Sequence, residues 1–185
     1  MSRVVVLLAG LASTLLVAEP VLRDSSAALI WNASASLPIG LYRLTSAQPI
    51  DVDDIVVVRP PEPLAGFLAA RGYLPRGVPL MKRVQAVAGA VVCRVGLTIL
   101  VNGHVVGTAL QRDSHNRPLP VWQGCKMLVD GDIFLMNTTV ADSFDGRYFG
   151  PLPATTVTAR ALPVLTDDGD DGHFHWHIGD RSGTP

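Results

Sequence analysis

Closely spaced turn signals break this chain into short apolar runs, and that pattern leaves room for little except a mostly β fold. The run Ile55-Val56-Val57-Val58 is β-branched throughout. Asp51, Asp53 and Asp54 precede it and Pro60-Pro61 follow it, which predicts a buried strand. Residues 77–88 make a second strand candidate, and residues 91–95 and 98–101 two more, with Gly96 at the turn between them. Asn102-Gly103 is the strongest hairpin signal, and Val105-Val106 returns from it. Asp130-Gly131 turns into the strand Ile133-Phe134-Leu135-Met136, and residues 154–165 read as a last strand. Residues 41–44 look extended. A short helix is expected at residues 63–71, ended by Gly72. Residues 23–31 read as a linker or helix tail, residues 111–120 as an exposed loop and residues 141–150 as a loop. The 14 prolines fit this picture, and 185 residues suffice for one domain with a real core.

The two ends differ from the middle. Residues 4–18 are uncharged and mostly apolar, and Arg3 precedes them, the layout of an export signal or short anchor whose positive end stays in the cytoplasm. That stretch is shorter than the about 20 residues of a spanning helix, and Glu19-Pro20 interrupt its extension. Residues 1–22 are therefore expected to be an N-terminal hydrophobic helix, either cleaved or retained; a buried core helix is the alternative. Export would put the rest of the chain outside the cytoplasm. In an oxidising compartment the even pair Cys93 and Cys125 is expected to form a disulfide. It would close a loop of about thirty residues, worth roughly 3–4 kcal/mol by chain entropy. Two buried free thiols are the alternative. From Thr166 the composition shifts to aspartate and glycine, then His173, His175 and His177 alternate with Phe174 and Trp176. Residues 166–185 are expected to be a disordered tail. Three histidines at period two offer a metal candidate, but a plain polar tail is the simpler reading, so no metal site is expected.

The net charge of -1, without any run of basic residues, argues against a nucleic-acid partner. No GxGxxG, GxxxxGKS/T or HExxH pattern is present, so no nucleotide or zinc-peptidase site and no cofactor are expected.

Three stretches carry candidate chemistry. In Asn32-Ala33-Ser34-Ala35-Ser36-Leu37-Pro38-Ile39-Gly40, two serines alternate with small residues before a proline and a glycine force a turn. Ser36 is the candidate nucleophile, and it needs a base. Only two lysines occur, Lys82 and Lys126. Side-chain alternation along a strand puts Lys82 on one face with Leu80, Val84 and Ala86, and Arg83 on the other with Met81 and Gln85. Apolar surroundings lower a lysine pKa, and a neutral amine can take a serine proton; arginine cannot do this. The competing reading is a lysine that reaches out from a sheet edge into water. His104, after a hairpin turn, and His115, in a polar loop, have no local signature of a catalytic triad. In the third stretch, Asp142-Ser143-Phe144-Asp145-Gly146-Arg147-Tyr148-Phe149-Gly150-Pro151, Asp145 and Arg147 are close enough to pair, and Ser143 is placed to orient an amine. A surface turn with an ordinary salt bridge is the plainer alternative.

Together, Ser-Ala-Ser-Leu-Pro, then Met-Lys-Arg-Val followed by Ala88-Gly89, then Asp-Ser-Phe-Asp-Gly-Arg-Tyr-Phe-Gly resemble the motif boxes of the bacterial type I signal peptidases. Within them the chain resembles the conjugative-transfer branch, the TraF-type peptidases, also through Arg117-Pro118-Leu119-Pro120 with Trp122, Gly124 and Cys125. The resemblance covers residues 1–165 and implies a signal-peptidase-like domain of coiled β-sheets over residues 23–165, with an apolar surface facing the bilayer. It implies a Ser/Lys peptidase: Ser36 as nucleophile, Lys82 as general base, and the Ser36 N–H with the Ser34 hydroxyl as oxyanion hole. Ser143 matches the serine that orients the lysine, Asp145 and Arg147 the supporting acid and its partner, and Cys93 and Cys125 a cysteine pair of this branch. Leu37 stands where leader peptidases usually carry methionine, and the chain lacks room for their large inserted domain, which favours a dedicated substrate over general secretory processing. The implied partners are a membrane-anchored propilin or other exported precursor with small residues before the cut, the inner membrane surface and the conjugative transfer machinery. The implied location is the periplasmic face of the inner membrane. A non-catalytic assembly factor of a conjugative pilus or secretion system, with the same fold, is the alternative.

Overall fold

The computed structural model describes residues 29–177. The expected N-terminal hydrophobic helix lies outside the described residues. No helix among the described residues is long and apolar enough to cross a membrane.

Two antiparallel sheets form the body. Their strands are β1 (Leu29–Asn32), β2 (Ile39–Thr45), β3 (Ile55–Val58), β4 (Leu80–Val87), β5 (Val91–Val95), β6 (Thr98–Val101), β7 (His104–Thr108), β8 (Gly124–Met127), β9 (Asp132–Leu135), β10 (Leu152–Pro153), β11 (Val157–Asp167) and β12 (His175–Trp176). The helices are α1 (Glu62–Arg71) and the single turn α2 (Gly146–Phe149). The large sheet runs β1-β2-β11-β3-β4-β9-β10, and β12 pairs with β11. The small sheet runs β7-β6-β5-β8. The mostly β expectation holds.

β11 is the spine of the large sheet. β2 takes one edge, while β3 and β12 share the other at its two ends. Proline has no N–H for a ladder, and Pro163 sits where the β2–β11 register shifts. Beside that shift, a Cβ on Gly40 would lie 2.1 Å from the Leu165 carbonyl oxygen. Glycine is therefore what lets β2 come this close to β11 directly after the Ser36 loop. A second shift, between Val84 and Ala86, bends β4 as it passes from β3 to β9. The expected β-branched strand 55–58 is the buried centre of one core, with Leu68, Leu80, Val84, Ile133 and Leu135 packed around it. Gly72 closes α1 in the left-handed conformation. In the small sheet Cys93 lies directly opposite Cys125, and the two are joined by a disulfide.

The structure corrects four readings. Residues 29–31, read as part of a linker or helix tail, are strand β1, the outermost strand beside β2. Residues 141–150, read as a loop, contain α2, capped by the Asp145 side chain. Residues 111–120 are not simply exposed, because an Arg112–Pro118 bridge closes the loop and Leu119 is buried among Ala109 and Tyr148. The expected disordered tail is ordered as far as residue 177. β11 continues to Asp167, whose carboxylate accepts N–H bonds from Asp171 (3.2 Å) and Gly172 (2.8 Å), and β12 folds back onto it. Composition concealed this, because the carboxylates of Asp167, Asp168 and Asp171 have local backbone or side-chain partners.

Candidate active site

The Ser36 loop leaves β1 and enters β2, and two buried side chains hold its shape. Asn32 is 6% exposed; its Nδ2 donates to the carbonyls of Ser34 (2.9 Å), Leu37 (3.1 Å) and Pro38 (3.0 Å), and its Oδ1 accepts the Ser34 N–H at 3.1 Å. The Tyr42 hydroxyl donates to the Pro38 carbonyl at 2.7 Å. Burial, with help from the Asp168 charge and against that of Arg83, pushes the Tyr42 phenol up to about 12, so it stays a donor. Ser36 is thereby half-buried at the end of a rigid turn.

Lys82 arrives from β4. Val56 of β3 stands opposite it, and the Leu80–Val84 core flanks it along its own strand. Its side chain is 4% exposed. The amine Nζ lies 3.2 Å from Ser36 Oγ and 2.8 Å from Ser143 Oγ. Burial lowers the Lys82 pKa from 10.5 to about 8; the Asp145 charge opposes this and the Arg147 charge adds to it. A lysine of this kind is neutral in an appreciable fraction at neutral pH. An amine lone pair at this distance can accept the Ser36 proton.

Ser143 is held from beneath. Asp145 is 0% exposed and Arg147 2%. Arg147 Nε donates to Asp145 Oδ1 and Nη2 to Oδ2, each at 2.9 Å. The same guanidinium donates to the carbonyls of Ala141 (2.9 Å), Val140 (2.7 Å) and Ser143 (3.1 Å), so it gathers the whole loop that carries Ser143. Asp145 also accepts the Asn137 N–H at 3.0 Å, and Asn137 Oδ1 accepts the Arg83 N–H at 2.9 Å. A chain of contacts thus runs from the ion pair to the residue after Lys82. Arg94 of β5 fixes α2 from the other side, donating to the Arg147 carbonyl at 2.5 Å.

Ser34 is exposed, and its Oγ lies 3.0 Å from Ser36 Oγ and 3.4 Å from the Ser36 N–H. The fold therefore brings Ser34, Ser36, Lys82 and Ser143 into one hydrogen-bonded group with the Asp145–Arg147 pair behind it. Cys93 and Cys125 stand apart, in the small sheet. Among the described residues no cluster of His, Cys, Asp or Glu is arranged for a metal.

Asn32 and Asn137 were missed in the sequence. Asn32 had a visible signal, since an Asn two residues before a turn N–H caps it locally. Its bonds to Leu37 and Pro38 had none. Asn32→Ala leaves three carbonyls without their donor and is expected to lower the rate of any Ser36-dependent reaction by about 10²-fold, the scale for misplacing a reacting group by about 1 Å. The loss should fall in kcat rather than KM, measured by steady-state kinetics, and Asn32→Asp, which keeps the Ser34 N–H acceptor, should recover part of it.

The signal peptidase family, peptidase S26, matches residues 1–165. The probable conjugal transfer protein TraF of Sinorhizobium fredii is 38% identical over 146 residues, covering 73% of this chain and 76% of its own. The plasmid transfer protein TraF of Escherichia coli is 34% identical over 172 residues, covering 87% and 93%. A crystal structure of a signal peptidase I from Enterococcus faecalis is 20% identical and covers 62% of this chain and 98% of that one, with a TM-score of 0.36. The match over residues 1–165, with relatives at this identity along most of the chain, places the protein in the signal peptidase family, peptidase S26.

Proposed function

We propose that this chain is a serine endopeptidase that processes a membrane-bound propilin, or another exported precursor, for conjugative pilus assembly. The observation that carries this reading is the buried Lys82 amine within hydrogen-bond reach of both Ser36 and Ser143. The relatives' names, conjugal and plasmid transfer proteins, support the conjugative setting. The Cys93–Cys125 disulfide and the apolar N-terminal stretch support a place at the periplasmic face of the inner membrane, beside the transfer machinery.

The reaction follows from the geometry. Neutral Lys82 takes the Ser36 hydroxyl proton as Oγ attacks the scissile carbonyl carbon. The oxyanion is met by the Ser36 N–H and the Ser34 hydroxyl, where losing one such donor typically costs about 10²–10³ in rate. Protonated Lys82 then hands its proton to the leaving amine as the C–N bond breaks, and the acyl group remains on Ser36. Ser143, 2.8 Å from Nζ, holds the amine in line throughout. Lys82 next deprotonates the acceptor that releases the acyl group. Water gives a linear product; an amine of the same substrate gives a cyclic pilin that lacks one water.

The test is mass spectrometry of pilin from cells carrying wild-type protein or Ser36→Ala. Only unprocessed precursor is expected with the variant, while the variant itself folds and is exported. Mature pilin in normal amounts from those cells would leave the chain as a non-catalytic assembly factor.

A further inference from the structure

Ser36 stands between two clefts. One contains Lys82 and is largely apolar. The other, of about 370 Å³, passes over Leu37 and Pro38 and is charged. Asp167, Asp168 and Asp170 line it, against one cation, Arg83. The end of β11 puts them there. Asp167 pairs with Ile39, only three residues past Ser36, and Gly40 lets the two strands come that close. All three carboxylates lie beyond residue 165, where the family match ends.

The three differ in what they already do. Asp167 is committed to the fold, since its two oxygens accept the N–H groups of Asp171 and Gly172. Asp168 is fixed through one oxygen, Oδ1, which accepts from the Thr166 hydroxyl at 2.7 Å. Its Oδ2 lies 3.4 Å from His177 Nε2, and the side chain is 47% exposed. Asp170 is exposed, and its carboxylate has no partner among the described residues. The same cleft is lined by Asn137, which is 2% exposed. Asn137 Oδ1 accepts the Arg83 N–H, but Nδ2 is buried with no hydrogen-bond partner among the described residues. A buried donor left in that state is rare, because it has given up its bond to water. A peptide carbonyl laid in the cleft supplies the missing acceptor, and a basic side chain on the same peptide meets the carboxylates. A bare metal ion would answer the carboxylates and not the amide.

We propose that this charged cleft binds the segment after the cut and favours a lysine or arginine side chain in its first few residues. This rests on the peptidase reading above. The segment after the cut is the occupant for two reasons. It must leave before the second step, and a solvent-open charged wall lets it go by exchange with water and ions. Exit from an apolar cleft would instead expose that wall to water. Cleavage also frees an α-amino group on this segment, and its positive charge forms in the field of the same carboxylates.

The experiment uses fluorescein-labelled alanine–serine peptides with a single lysine, glutamine or glutamate at one position. Binding to the full-length Ser36→Ala protein is read by anisotropy, and cleavage by the wild-type protein is located by mass spectrometry. The lysine peptide is expected to bind about tenfold more tightly than the glutamate peptide, with glutamine between them. That ratio should shrink in about 1 M salt, where charges are screened beyond about 3 Å. The cut is expected on the N-terminal side of the lysine. The double variant Asp168→Asn, Asp170→Asn removes two charges. It keeps an acceptor for Thr166 and suits the left-handed backbone at residue 170, where φ is 52°. It should bring the ratio close to one and leave cleavage of the glutamine peptide unchanged. Equal binding of all peptides, tighter binding of glutamate, no binding by any, or a cut on the C-terminal side of the lysine overturns the proposal. So does an unchanged ratio in the double variant; if that variant fails to fold, the wild-type comparison decides alone. Charge-selective binding without cleavage by wild-type protein would instead remove the peptidase reading and leave the cleft's preference for a cation standing. Cleavage without charge preference would do the reverse.

Discussion

Lys82→Met is expected to abolish peptidase activity and, at neutral pH, to make the folded domain more stable. Loss of the proposed base should lower kcat by about 10⁴- to 10⁶-fold, the range for deleting one member of a serine peptidase's catalytic set. The stability gain follows from linkage. The Lys82 pKa falls from 10.5 in the open chain to about 8 in the fold, because burial disfavours the charged amine. Between those values the unfolded chain binds more protons, so stability rises with pH across that window and is fully developed above it. Below pH 8 the folded protein carries a buried charge at a cost of about 3 kcal/mol, from the shift and about 1.4 kcal/mol per unit. Methionine keeps the volume and removes the charge, but it forfeits two hydrogen bonds worth about 1 kcal/mol each. A net gain of about 1 kcal/mol is expected at pH 7, changing to a net loss above pH 10.5, measured by chemical denaturation of both proteins. A variant less stable at both pH values would show that Lys82 is no burden to the fold. The wild-type rate should follow the same ionisation, climbing with pH to a midpoint near 8 and levelling above it.

Asp145→Ala is expected to have the largest effect on stability. It leaves the Arg147 guanidinium, 2% exposed, without its counter-charge, and such a broken pair costs about 3–5 kcal/mol. The loop that carries Ser143 is then tied by a cation that gains more from reaching water than from staying. Asp145→Asn removes the charge while keeping the shape, and its single amide oxygen keeps one of the two N–H bonds that Asn137 and Arg147 make to separate carboxylate oxygens. Because the Asp145 charge raises the Lys82 pKa, its removal should move the midpoint of the rate profile below that of the wild type. A midpoint that stays put in a folded Asp145→Asn protein would make Asp145 a scaffold residue with no electrostatic influence on the amine.

Much of the fold was legible locally. β-Branched residues 55–58, the Asn102-Gly103 turn and Gly72 after a short helix each signal their structure within a few neighbours, and the strands and α1 lie close to where those signals put them. Strand β1 was not legible, because Leu29 to Asn32 becomes a strand only by pairing with residues 40–43. The ordered residues 166–177 escaped notice for the same reason: β12 exists only against the far end of β11. Residues 111–120 read as exposed because their composition is polar, yet Asp113 folds inward once Tyr73 and Arg117 supply its partners. Those bonds hold its carboxyl well below the usual carboxylate range, against the opposing effect of burial.

The candidate site divides along the same line. The sequence by itself determined which groups are present: alternating serines before a proline turn, a lysine on an apolar strand face, and a serine, an aspartate and an arginine in one short loop. It also determined Lys82's alternation with Leu80 and Val84, since strand side chains repeat every two residues. Only the tertiary structure decided that Ser36 and Lys82, 46 residues apart, lie 3.2 Å from one another, with Ser143, 61 residues beyond Lys82, on the far side of the amine. It also decided that the amine is poor in water. The Lys82 pKa falls through desolvation, a burial that exists only once β3 pairs with β4 and the Ser36 and Ser143 loops close on the same nitrogen.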